Sequence, residues 1–292
     1  MSAQSRSQEQ AAGLAGVPKE WAEDHHATIF SRWHPFLAPQ LRESEALVIA
    51  ESGAAAGDMV MDVACGAGVP TLRLAETVGR DGRVVAVDPS PVFLAAAAEN
   101  ARARGLANIE FIQSSAATLP FDRATFDAGT CHFGAMFFTD LNAGLTRIRE
   151  VLKPDARAAF VAWGPDEDNE LFGAFWSVAR PYFPPPPAPN PAIPEADIPK
   201  PNRFALAGSL SRALTAAEYR DVRERSEQVN LIWPGHASSC FDFWRQLTKA
   251  DEQVPAERHA ALEEDVLASL GQYAERDTLH FRANVVVTSG AA

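Results

Sequence analysis

Basic residues are scarce in this chain. Of its 292 residues, 26 are Lys or Arg against 38 Asp or Glu, a formal net charge of -12 that no basic run interrupts. Such a surface repels phosphate backbones and anionic lipid headgroups, so neither nucleic acid nor a membrane surface is an expected partner. Cysteine is scarcer still. The three present, Cys65, Cys131 and Cys240, are odd in number and form no Cys-x-x-Cys pair, which argues against a disulfide framework and a zinc knuckle; no metal is expected. There is no run of about 18 apolar residues. The opening stretch MSAQSRSQEQAAGLAG lacks the apolar core of a secretory signal, so a cytoplasmic protein without a membrane span is expected.

Two familiar glycine signatures are also missing. The loop CGAGVPT at 65–71 has Thr71 where a G-x-G-x-x-G dinucleotide fingerprint needs its third glycine. It has no Gly-Lys-Ser/Thr, so it is not a Walker loop.

What is present is apolar material in a regular rhythm. Hydrophobic residues make up 47% of the chain, enough for one domain of about 200 to 250 residues with additions. Strand-like runs at 58–65, 83–90, 109–115, 126–133 and 156–163 alternate with helical patterns at 71–79, 91–105 and 141–153. Strands apolar on both faces, in strict turn with helices, predict a doubly wound, mostly parallel sheet covered on both sides. Before this core, 21–50 reads as two or three short helices broken at Pro35 and Pro39, and residues 1 to about 18 read as frayed. After it come a helix at 169–183, a proline-dense connection at 184–201, a helix at 209–219, a long strand at 221–233, a helical region at about 240–274 and a last strand at 278–290.

The opening loop then has a meaning. Asp62 stands four residues before Gly66, with Gly68 beyond it, at the end of the first strand; Asp88 ends the second strand, 20 residues past Gly68. Sheets of this kind bind ligands beyond their carboxyl strand ends, where glycines admit a ligand to the backbone and a carboxylate accepts ribose hydroxyls. The pair predicts a nucleoside site.

VMDVACGAG, VVAVDPS, IEFIQSSAATLPF, TFDAGTCHFGAMFFTD and IREVLKPDARAAFVAWGP, in that order, resemble the class I S-adenosylmethionine-dependent methyltransferases. The order is most similar to the ubiquinone/menaquinone C-methyltransferase type and its small-molecule relatives. The resemblance implies a Rossmann-like seven-stranded sheet with helical lid additions, divided as an N-terminal helical lid (1–50), a cofactor-binding core (51–164), a lid insertion with the proline connection (165–207) and the rest of the core (208–292). It implies S-adenosylmethionine as cofactor, S-adenosylhomocysteine as product and a small-molecule acceptor.

Carried over residue by residue, the resemblance places Ala64, Gly66, Ala67 and Gly68 along the methionine part, with Asp62 holding the loop or reaching the amino group. Asp88 takes the ribose, and Pro89 and Ser90 lie beside the adenine. Ser115 stands where the family usually has an acidic residue for the adenine amino group, with Ala116 next to it, and Cys131 lies at the fourth strand's end. His132 follows, where a transferred methyl group would emerge; it reads as a general base or as packing. His25, His26, Phe30 and Trp33 are candidate substrate contacts on the lid, the aromatics reading equally as lid packing. Asp155-Ala156 replaces the family's Gly-Gly after Lys-Pro and reads as a turn variant. The Asn/Asp-Pro-Pro-Tyr/Phe motif of amino-group nucleic-acid methylases is absent, CHFG standing in its place. Two other readings stay open: a non-catalytic sensor or partner that binds the same cofactor, and a nicotinamide-dependent oxidoreductase, which lacks its third glycine and a Tyr-x-x-x-Lys proton donor.

Overall fold

The structure, a computed structural model, describes residues 24–186 and 198–292. The frayed segment expected at 1–18 and the centre of the proline connection lie outside the described residues. Three helices come first: α1 (Asp24–Arg32), α2 (His34–Gln40) and α3 (Arg42–Ser52). The core follows as β1 (Met59–Val63), α4 (Thr71–Val78), β2 (Arg83–Asp88), α5 (Pro91–Ala103), β3 (Ile109–Gln113), β4 (Phe126–His132), α6 (Leu141–Val151) and β5 (Leu152–Trp163). Then come α7 (Glu170–Ala179), α8 (Ser209–Ala216), β6 (Arg220–Trp233), α9 (Ala237–Leu247), α10 (Ala250–Gln253), α11 (His259–Gly271), the two-residue β7 (Ala274–Glu275) and β8 (Thr278–Ala291).

The seven long strands form one sheet in the order β3-β2-β1-β4-β5-β8-β6, and β7 pairs with β8 at the margin. β1 to β5 run parallel, while β8 is antiparallel to both β5 and β6. The strand order reverses between β1 and β4, which places a topological switch point at their carboxyl ends. Alternation along β1 divides the core: Met61 and Val63 pack with Ile148 and Val151 of α6 and Leu210 and Leu214 of α8. Val60 faces the other way, against Leu74, Ala75 and Val78 of α4 and Ile49 of α3. With both faces covered, the strands need apolar residues at nearly every position.

Helix starts are fixed by local chemistry. Ser90, Asp140 and Asn169 cap α5, α6 and α7, their side-chain oxygens accepting the N–H of Phe93, Ala143 and Phe172. Two sequence expectations are corrected. Pro35 does not break a helix: it stands in the first turn of α2, where N–H donors have no intrahelical partner. Pro39 lies inside α2, which ends one residue later. Nor is the Lys153-Pro154-Asp155 stretch a plain turn. It belongs to β5, whose register with β4 shifts between Phe126 and Ala128, and Asp155 takes φ 67° within it.

Candidate functional site

Backbone pairing brings three strand tips together. The loop after β1 is held by Cys65 N–H donating to the Val87 carbonyl, 3.0 Å away, so the glycines stand level with the end of β2. There the two carboxyl oxygens of Asp88 accept separate backbone donors: Gly66 N–H on Oδ2 and Ser90 N–H on Oδ1, each at 2.9 Å. Each oxygen keeps a further lone pair for a ligand hydroxyl. Burial pushes the Asp88 carboxyl up to about 6, against the opposing pull of the Ser90 and Gly66 donors, so it is ionised at neutral pH.

The two loop glycines do different things. Gly66 has φ 53°, and a Cβ built there meets nothing within 4 Å. Gly68, at φ 109°, would press a Cβ to 3.2 Å from Leu72 Cγ, so it serves the packing of the loop on α4. The tip of β4 closes the third side: a Cβ on Gly134 would stand 2.4 Å from that of Ala64. Ala64 (φ 58°) and Phe133 (φ 55°) both adopt the left-handed region that side chains avoid. Such backbone outliers collect where a site fixes its walls.

Beneath the loop, Asp62 is fully buried. Its oxygens accept the hydroxyls of Thr71 at 2.5 Å and Thr130 at 2.8 Å, tying β1 to the start of α4 and to β4. Burial pushes its carboxyl up to about 7, the two hydroxyls acting against that. His132 is buried too. Its Nε2 lies 2.9 Å from Ser44 Oγ of α3, and Ser44 also bonds the Leu41 carbonyl at 3.0 Å. Burial pushes the imidazole down to about 3, against a hydrogen bond to the Val69 carbonyl, so the ring is neutral at pH 7 and engaged.

These tips open on a cavity of about 1060 Å³. Small-molecule pockets span about 300 to 1,000 Å³, so there is room for more than one ligand. Of the residues expected at the site, Ala64, Gly66, Ala67, Asp88, Pro89, Ser115, Ala116, His132, His25, His26 and Phe30 line it. Asp62, Gly68, Ser90, Cys131 and Trp33 do not. Asp62 and Gly68 brace the loop, and Ser90 caps α5. Cys131 is buried beside Gly134. The Trp33 indole N–H donates to Gln246 Oε1 at 3.4 Å, and its ring packs on Phe36, Trp233 and Phe243.

The structure adds walls that sequence reasoning missed. Phe133 stacks on Trp163, centroids 4.0 Å apart with 23° between planes. Phe172, Trp176 and Trp244 continue the aromatic lining. Phe172 and Trp176 are four residues apart on α7, a spacing read only as a helix; their shared face was the available signal. His34 of α2 also lines the cavity, its pKa lowered by burial with Arg104 adding to the effect. Among the described residues no three His, Cys, Asp or Glu side chains are grouped to hold a metal ion, and no helix is long and apolar enough to cross a membrane.

Residues 60–155 match a family described as a methyltransferase domain. Over 154 residues the chain is 35% identical to 2-phytyl-1,4-naphtoquinone methyltransferase of Trichormus variabilis, a match covering 52% of this chain and 67% of that protein. The chain belongs to the class I S-adenosylmethionine-dependent methyltransferases. Of the readings open in the sequence, these matches carry the enzyme that moves a methyl group from S-adenosylmethionine to a small molecule. The methyltransferase is also similar to the ubiquinone/menaquinone biosynthesis C-methyltransferase of a Marinomonas species, with 33% identity over 42% of this chain and 49% of that one. Its fold extends further than its sequence likeness. Phosphoethanolamine N-methyltransferase 2 of Haemonchus contortus, solved with S-adenosylhomocysteine, aligns over 91% of this chain and 57% of its own at 16% identity, with a TM-score of 0.54.

Proposed function

We propose that the acceptor is a flat aromatic molecule of the reduced-quinone type, methylated in the aromatic chamber that adjoins the glycine loop. One observation carries this reading: the open face of Gly66, beside the Asp88 carboxylate, borders a cavity also walled by Phe133, Trp163, Phe172, Trp176 and Trp244. Flat rings gain both apolar burial and offset stacking against such walls. The names of the relatives, a phytylnaphthoquinone methyltransferase and a ubiquinone/menaquinone C-methyltransferase, support the same class.

The chain's residues divide the work. Ala64, Gly66 and Ala67 would run along the cofactor, Asp88 would accept its ribose hydroxyls, and Pro89, Ser115 and Ala116 would border its adenine. When bound, S-adenosylmethionine supplies an electrophilic methyl group on a cationic sulfur. Asp62, Gly68, Ser90 and Cys131 shape the site from behind. α1, α2, α7, α9 and α10, which border the cavity, form the lid that excludes water and orients the acceptor.

A base of pKa about 3, already bonded to Ser44 and Val69, draws protons weakly. His132 is therefore assigned to holding α3 against β4. His34, whose side chain lines the cavity, is the proposed proton acceptor for an acidic acceptor hydroxyl. A cytoplasmic setting belongs to the same reading, supported by three buried free thiols that a reducing compartment preserves.

Incubation with methyl-tritiated S-adenosylmethionine and a reduced 1,4-naphthoquinone should put label on the ring of an extractable product. Labelling of amine or thiol acceptors with none on the aromatic ring would overturn the assignment.

A further inference from the structure

Building on the aromatic-acceptor reading, we infer that the acceptor carries an acidic group, and that Arg180 and Lys249 are the cations that select it. The aromatic chamber is not closed by apolar residues alone. Arg180 follows Trp176 by four residues at the end of α7, and Lys249 follows Trp244 by five just past α9; both line the cavity. The two tryptophan rings lie 6.4 Å apart, and both cations border the cavity they line. The Arg180 guanidinium sits over the Trp176 ring, 4.7 Å from its centroid, which holds it at the cavity wall.

Charge bookkeeping at this wall favours an anion. Several arginines of this acidic protein are answered by a carboxylate, as Arg83 is by Glu110 and Arg282 by Glu170. Among the described residues neither Arg180 nor Lys249 has a carboxylate within ion-pair distance. Two other carboxylates line the same cavity, but each already accepts a donor: Asp140 takes the Ala143 N–H at 2.9 Å and Asp166 the Asn202 amide at 2.7 Å. Lys249 also holds φ 51°. That left-handed conformation favours Gly or Asn. An acceptor with a ring system and a carboxylate, sulfonate or phosphate at its far end would fill the chamber and meet both cations. The opposite, reacting end would face the glycine loop.

Two fluorescent probes of one shape separate the charge from the ring: 8-anilinonaphthalene-1-sulfonate, which is anionic, and N-phenyl-1-naphthylamine, which is neutral. The full chain should bind the sulfonate more tightly than the amine. Arg180→Gln and Lys249→Gln should each weaken sulfonate binding about threefold, and the double variant about tenfold, as exposed cations bordering an apolar cavity would. Binding of the neutral probe should stay within twofold. Unchanged sulfonate affinity in the double variant, or equal losses for both probes, would overturn the inference while leaving an aromatic acceptor standing. If the wild-type chain binds neither probe, the apolar chamber itself is misassigned and the inference falls with it.

Discussion

Gly66→Ala is the sharpest test of the cofactor assignment, because the structure separates its effect on folding from its effect on binding. A Cβ at this position meets nothing within 4 Å, so the folded chain bears only the strain of an L-residue at φ 53°. That strain is about 1 to 2 kcal/mol, which for a chain of this length lowers the melting temperature by about 2 to 4 °C. Ala64, two residues earlier, already carries a Cβ at φ 58°, so the loop tolerates such a residue. A ligand lying against Gly66 has no such tolerance. The new methyl would occupy the space the ligand needs, and a tenfold or greater loss of S-adenosylhomocysteine affinity follows, about 1.4 kcal/mol or more. Thermal melting of the free protein and calorimetric titration with S-adenosylhomocysteine measure the two quantities on one sample. Undiminished affinity would refute the reasoning, since the ligand would not approach this face. A fall in melting temperature far beyond a few degrees would instead mean that the loop is packed where the structure leaves it open.

Asp88→Ala removes the acceptor of two buried backbone donors as well as the ribose contact; at about 1 to 3 kcal/mol for each unsatisfied group it should lower stability measurably in denaturant titration and weaken S-adenosylhomocysteine at least tenfold. Because Asp88 titrates at about 6, and its carboxylate is the better acceptor for ribose hydroxyls, that affinity should fall as pH drops from 7 to 5; a flat profile would remove Asp88 from contact. Asp62, raised from 3.8 to about 7 by burial, binds its proton more tightly in the folded than in the unfolded chain. Its contribution to stability therefore declines as pH rises from about 4 to about 7, and Asp62→Asn should flatten that slope in melts across the range. His132→Ala should reduce stability through the lost Ser44 bond and lower turnover less than tenfold; a loss of about 100-fold in kcat at unchanged stability would restore it as the general base.

The chain announced its scaffold because the inner strands β1, β2 and β4 are buried on both faces. Runs such as VMDV and VVAV need no distant partner to be read, and the helices between them carry their own stops, Gly79 after α4 and Gly105 just past α5. Asp88 and Gly66 were legible for a related reason: a tight strand-to-helix loop and a strand-tip carboxylate are local features of backbone geometry. Pro39 and the start of β5 misled because their effect depends on neighbouring strands and helix ends, not on residue type alone.

Which residues face the ligand is a different kind of question. Asp62 and Ser90 looked like site residues, yet one is spent on Thr71 and Thr130 and the other on the cap of α5. The aromatic walls come from β4, β5, α7 and α9, segments separated by up to about a hundred residues, and no local pattern says that Trp163, Trp176 and Trp244 share a chamber. Sequence by itself determined the strand order of chemistry along the chain: glycine loop first, carboxylate second, histidine third. Only the tertiary structure decided which side chains point into one volume and which are consumed in holding it. Side-chain direction depends on the packing of elements distant in sequence, whereas periodicity records only whether a position is buried.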